Sequence, residues 1–197
     1  LEVLLTIDEE AGMTGAFGLE AGYLDAEILI NTDSEQEGEI YMGCAGGVDA
    51  QISVPMSWQA PEQSNTSFSL TMSGLKGGHS GVNIHLGRGN ANKLLARFLF
   101  KYSDELALEL VSFSGGSLRN AIPREANVQF MLPAENIDAL KQAIESFQAL
   151  VREELAVADP GMLLSLATID APTKVMGEEA QNTLIDLLHA CPNGVMR

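Results

Sequence analysis

Ser67-Phe68-Ser69-Leu70-Thr71-Met72-Ser73-Gly74-Leu75 alternates apolar residues with small polar ones. Successive side chains of a strand face opposite sides, so Phe68, Leu70 and Met72 share one face. The stretch reads as a β-strand with one buried face. Downstream, Asn90–Tyr102 carries Leu94, Leu95, Phe98 and Leu99 at helical spacing. Leu106–Phe113 reads as a second strand, with Leu106, Leu108, Leu110 and Ser112 on one face, and Ala126–Leu132 as a third. Asn136–Leu155 is an amphipathic helix capped near Glu135 or Asn136, with Ile137, Leu140, Ile144, Phe147, Leu150 and Val151 as its apolar stripe. Met162–Ile169 closes the series as a fourth strand, and Glu178–His189 is a last helix. The order from Ser67 is β-α-β-β-α-β, the split, ferredoxin-like α+β pattern.

Upstream of this series the texture differs. Leu1–Ile7 and Ala26–Asn31 are continuous aliphatic runs and read as buried strands. Thr14–Leu19 is a short helical crossover between them. Strands apolar on both faces and joined by a crossover belong to a parallel sheet, so residues 1–45 read as part of an α/β domain. The change comes at Cys44-Ala45-Gly46-Gly47. Residues 48–58, VDAQISVPMSW, alternate imperfectly and read as an exposed strand opening a second domain, 46–197. The chain starts inside one strand-like run, and Gly194-Val195-Met196-Arg197 looks like the beginning of another. The expectation is a piece of a longer polypeptide.

Composition narrows the partners. Formal net charge is −16, and it is unevenly placed: residues 1–75 hold 13 acids and no Lys or Arg, while 76–197 hold 14 acids and 11 bases. Nucleic acid is disfavoured, because phosphate binding needs clustered Lys and Arg. No apolar run approaches the roughly 20 residues of a membrane span. Cys44 and Cys191 are far apart with no CxxC, which fits a reducing compartment and small buried thiols.

The chemistry-bearing residues cluster at strand ends and glycine-rich turns. Glu9 and Glu10 end the run LLTIDEEAG, and Asp33 ends ILINTD. Ligands collect at the carboxyl ends of parallel strands, and three converging carboxylates make a hard anionic site for a divalent cation. Asp8-Glu9-Glu10 also fits the first turn of a helix, where acids suit the dipole. Asp33 is followed by Ser34, Glu35, Glu37 and Glu39, a solvated loop by composition. His79 lies in Gly77-Gly78-His79-Ser80-Gly81, where small neighbours leave backbone and imidazole open to a ligand. His85 and His189 carry no such context. In Gly115-Gly116-Ser117-Leu118-Arg119-Asn120-Ala121-Ile122-Pro123, Arg119 and Asn120 suit a carboxylate or carbonyl oxygen, and a solvent-facing turn fits equally. Gly87-Arg88-Gly89-Asn90-Ala91-Asn92-Lys93 lacks phosphate-loop spacing and reads as a helix entry.

Four stretches in order carry a family resemblance: TIDEEAGMTGAFGL, NTDSEQEGEIYMGCAGG, GLKGGHSGVNIHLGRGNANKLLARFL and GGSLRNAIPREA. Together they resemble the aminoacylhistidine (Xaa-His) dipeptidases, within the di-zinc metallopeptidases that include carnosinases, tripeptidase and succinyl-diaminopimelate desuccinylase. The resemblance implies a catalytic α/β domain, of which 1–45 is a part, and an inserted lid domain, 46–197, that dimerises. It implies Glu9 as general base, Glu10 and Asp33 as zinc ligands, and His79 as the lid histidine that stabilises the oxyanion. Asn120 and Arg119 are implied near substrate. The cofactor implied is a pair of zinc ions, with manganese or cobalt as substitutes, in a cytoplasmic homodimer acting on short peptides. No His-x-Asp occurs in the chain, so these residues alone are expected to be inactive. The alternatives are a related amidohydrolase acting on N-acyl amino acids, and a non-catalytic dimerisation module.

Overall fold

The computed structural model describes residues 1–10, 12–33 and 36–196. It divides into two compact units, Leu1–Ile52 and Ser53–Arg197. Ser34 and Glu35 of the acidic run, and Arg197 of the expected terminal strand, lie outside the described residues.

In the first unit the expected crossover forms as one helical turn, α1 (Thr14–Phe17). The two expected strands do not form. Residues 1–7 and 26–31 carry no ladder, and Leu5, Ile7, Ile28, Leu29 and Ile30 are exposed. A parallel sheet needs several strands and cover on both faces, and this unit supplies neither. Carboxylates and short backbone turns supply its order. Glu2 accepts the backbone N–H of Asp25 and of Ala26, which links the two aliphatic runs. Asp8, at φ 63°, accepts at its carbonyl from Gly12 and Met13 and at Oδ2 from the Thr14 hydroxyl. The Tyr41 hydroxyl donates to Glu39 and Gln36, and the bond to Glu39 raises its pKa above the ordinary tyrosine value.

The second unit opens with β1 (Trp58–Gln59), far shorter than the strand expected over 48–58. Then follow β2 (Thr66–Ser73), β3 (Gly78–His79), α2 (Ala91–Tyr102), β4 (Glu109–Gly115), β5 (Ala121–Ile122), β6 (Ala126–Leu132), α3 (Ile137–Glu154), β7 (Leu163–Thr168), β8 (Val175–Met176) and α4 (Glu178–Ala190). The main sheet runs β4-β6-β2-β7, antiparallel at every pairing. This is the split β-α-β-β-α-β topology expected from Ser67 onward. Phe68, Leu70, Met72, Val128, Phe130 and Leu164 line one sheet face, and Leu95, Phe98, Leu99, Leu140 and Phe147 cover it from the helices. The other face is polar, with Asn127 donating to Ser69 and Thr71 across the β6–β2 ladder.

The strand β4 is shifted from its expected position. Leu106 and Leu108 are buried by a chain reversal after α2, in which Leu106 N–H donates to Tyr102 and Leu108 N–H to Ser103. Ala107 takes φ 53° in that reversal. Beyond it a register shift between Leu110 and Ser112 turns Phe113, rather than Ser112, toward Val128. A bulge inserts one residue and so inverts the face of all that follow.

Both edge strands are tied down by glutamines. Gln181 of α4, 7% exposed, accepts from Leu110 N–H and donates to Leu108 C=O beside β4. Gln148 of α3 accepts from Leu164 N–H of β7. Helix ends are closed in the same manner. The Asn90 side chain caps α2 by accepting from Lys93 N–H, as the helix-entry reading expects. The Lys93 ammonium crosses to the C-terminus of α4 and donates to the carbonyls of Leu188, His189 and Cys191. Cys44 is exposed and Cys191 half-buried, so neither is the buried thiol expected: one lies on irregular backbone, the other past a helix end.

Candidate active-site loops

β3 and β5 are two residues each, and no periodicity announces them. They pair Gly78 with Ile122 and His79 with Ala121. Ser80 N–H donates to Asn120 C=O at 2.7 Å and continues the contact. The histidine loop and the loop bearing Arg119 and Asn120 are thus stitched together by backbone. Arg119 is exposed and Asn120 half-buried. Beside them Ser80, Asn90, Asn92, Ser117, Arg119 and Asn193 help line a cleft of about 520 Å³.

His79 has a defined ring orientation. Its backbone N–H donates to Asn83 Oδ1 at 2.9 Å, and its ring Nδ1 accepts from Gly81 N–H at 3.0 Å and Val82 N–H at 3.1 Å. A nitrogen that accepts two backbone donors carries no proton, so in the neutral ring Nε2 is the N–H donor. The exposed imidazole therefore presents a hydrogen-bond donor outward. His85 falls in a 3-10 turn (Ile84–Leu86), and His189 stacks on Phe100 with ring centroids 3.9 Å apart.

The glycines before His79 are steric requirements. Gly78 sits at φ 140°, and a Cβ there would lie 2.4 Å from Arg88 Nη1 and 2.8 Å from Asn83 Oδ1. Arg88 itself donates to Gly77 C=O at 2.7 Å. Gly78→Ala is expected to displace the histidine loop at a cost of about 1–3 kcal/mol. Urea unfolding measures that cost, and an unchanged midpoint would refute the steric argument.

Asp159 precedes Pro160-Gly161 and belongs to no motif of the sequence. It is 1% exposed, and its carboxylate accepts from Lys76 N–H and from Gly89 N–H, each at 2.6 Å. No local signal marks it, since its partners lie 83 and 70 residues away.

The expected metal ligands are not assembled. Glu9 and Glu10 are exposed on the turn between Asp8 and α1, and Asp33 is exposed with its N–H donating to Asn31. Among the described residues no group of three or more His, Cys, Asp or Glu could hold a metal. Two carboxylates are too few donors for a closed zinc shell, so the described residues do not by themselves fit the implied ions. Nor is any described helix long and apolar enough to cross a membrane.

Residues 70–159 match the family described as the peptidase dimerisation domain. All 197 residues are 50% identical to the cytosol non-specific dipeptidase of Escherichia coli K12, of which they cover 41%. The crystal structure of an aminoacylhistidine dipeptidase from Vibrio alginolyticus superposes with TM-score 0.79 at 52% identity, over 98% of this chain and 39% of that one. The resemblance to the dipeptidases holds across the whole chain. The chain spans about two fifths of the length of these relatives. The dimerisation-domain match runs from the middle of β2 to just past α3 and includes the histidine loop and the Arg119–Asn120 loop.

Proposed function

We propose that the whole protein hydrolyses dipeptides, including those of Xaa-His type, with a metal-activated water. The observation that carries this is the junction of β3 and β5, which puts His79, with Nε2–H outward, beside Asn120. The likeness to dipeptidases along the entire chain supports it. In this reading Glu9 takes a proton from the attacking water and delivers it to the leaving amine. His79 Nε2–H donates to the carbonyl oxygen as negative charge develops there. Arg119 and Asn120 hold the peptide's carboxylate or carbonyl. Glu10 and Asp33 would each give one oxygen to a metal pair, zinc by preference. Such a pair, when bound, would lower the pKa of its water and polarise the scissile carbonyl.

Two copies pair through the domain that includes 70–159, and the enzyme works in the cytoplasm, as the name of the Escherichia coli relative says of that protein. With a formal net charge of −16, nucleic acid is not expected as a partner.

The test is hydrolysis of a dipeptide panel by the full-length protein, before and after chelation. Cleavage that disappears with chelator and returns with zinc is the expected result. Cleavage confined to N-acyl amino acids would move the assignment to the amidohydrolases, and none at all would leave a dimerisation module. The 197 residues alone are expected to show no turnover.

A further inference from the structure

His79 is held at two levels. Its ring is fixed relative to its own loop, because Nδ1 accepts from Gly81 and Val82. The loop must in turn be fixed relative to the fold. β3 is only two residues long, and a two-residue ladder is a weak anchor. The stronger tie is at the loop's feet. Lys76 N–H and Gly89 N–H, on either side of residues 77–88, converge on the two oxygens of one carboxylate.

That carboxylate belongs to Asp159, in the turn joining α3 to β7. Its own N–H donates to Leu155 C=O at 2.8 Å, and its C=O accepts from Met162 N–H at 3.1 Å. Met162 is fully buried, and Leu155 packs against the core. Asp159 is therefore seated in the core and reaches out to both ends of the histidine loop. Only a carboxylate offers two acceptors side by side. An asparagine there would turn its NH₂ toward one of two N–H donors.

We propose that Asp159 is a positioning residue for His79: its carboxylate clamps Lys76 and Gly89 so that the imidazole stands where the oxyanion forms. The proposal rests on the role given to His79 above. Asp159 touches no substrate and acts through the loop.

The experiment is a double-mutant cycle in the full-length protein with Asp159→Asn and His79→Ala, reading kcat and KM on a dipeptide. Histidine ring nitrogens are followed by ¹⁵N resonance in the same samples. Asp159→Asn is expected to lower kcat by up to roughly 100-fold with little change in KM, since small misplacements of a catalytic group cost that much. In the His79→Ala background it should lower kcat no further, because residues acting as one unit are non-additive. It should also move the ring signals of one histidine, and that shift should be absent from the double variant.

Additive losses in kcat would overturn the proposal, as would unmoved ring signals. If His79→Ala leaves kcat intact, the role given to His79 fails, and the ring signals alone decide whether Asp159 positions it. Should Asp159→Asn not fold, Asp159→Glu retains both acceptors one methylene further out and runs through the same cycle. A smaller loss of the same non-additive kind is expected from it.

Discussion

Replacing Glu9 by glutamine in the full-length protein should lower kcat by about 10²–10⁴ while leaving bound metal unchanged. The magnitude is that of a positioned general base, and the amide keeps the shape and removes the proton acceptor. The metal prediction separates Glu9 from its neighbour. Glu9 and Glu10 are adjacent and both exposed on the turn after Asp8, so either is sterically able to be the base. Glu10→Gln should instead reduce metal content. Kinetics and elemental analysis on the same preparations decide between them. Lost metal in Glu9→Gln, or retained activity, would show that the two roles are exchanged or wrongly assigned.

Phe98→Ala should remove about 3–5 kcal/mol from the second unit. Phe98 is completely buried on α2. Its ring lies 5.0 Å from that of Tyr102 and 5.4 Å, edge-on, from that of Phe147 on α3. It therefore joins two helices as well as covering the sheet. Total stabilities are about 5–15 kcal/mol, so the loss takes a large fraction of the whole. Phe100, two residues along, is 53% exposed and only stacks on His189. Phe100→Ala should cost less than about 1 kcal/mol. Urea unfolding of both variants checks the pair. Equal costs would mean that α2 does not bury the face described.

What the sequence disclosed follows from how local each signal is. The helices α2 and α3 and the strands β2 and β6 repeat their apolar positions over several periods, and their ends fall within two residues of expectation. β4 was harder. Leu106, Leu108 and Leu110 alternate as a strand would, but the first two owe their burial to a reversal, and a bulge then inverts the face. Leu1–Ile7 and Ala26–Asn31 carry no ladder for another reason. Continuous aliphatic runs say that partners are wanted, and the first unit does not provide them. At the site, the glycines around His79 are legible as a run of small residues, and Gly78 answers a steric demand from Arg88 and Asn83. The bridge from His79 to Ala121 is not legible, since two-residue ladders leave no period. Asp159 was invisible, because an aspartate before Pro160-Gly161 reads as a turn residue.

The glutamines on the sheet edges make part of each edge's cover depend on a helix. Gln181 and Gln148 belong to α4 and α3, so each edge is quiet only once its helix has docked. Before that moment β4 and β7 offer bare backbone to any other chain, and a bare strand edge is a template for aggregation. A copy whose helices are not docked therefore exposes more strand edge than the finished fold does. Raising the helix propensity of exposed positions on α4 should favour the docked state with the finished fold unchanged.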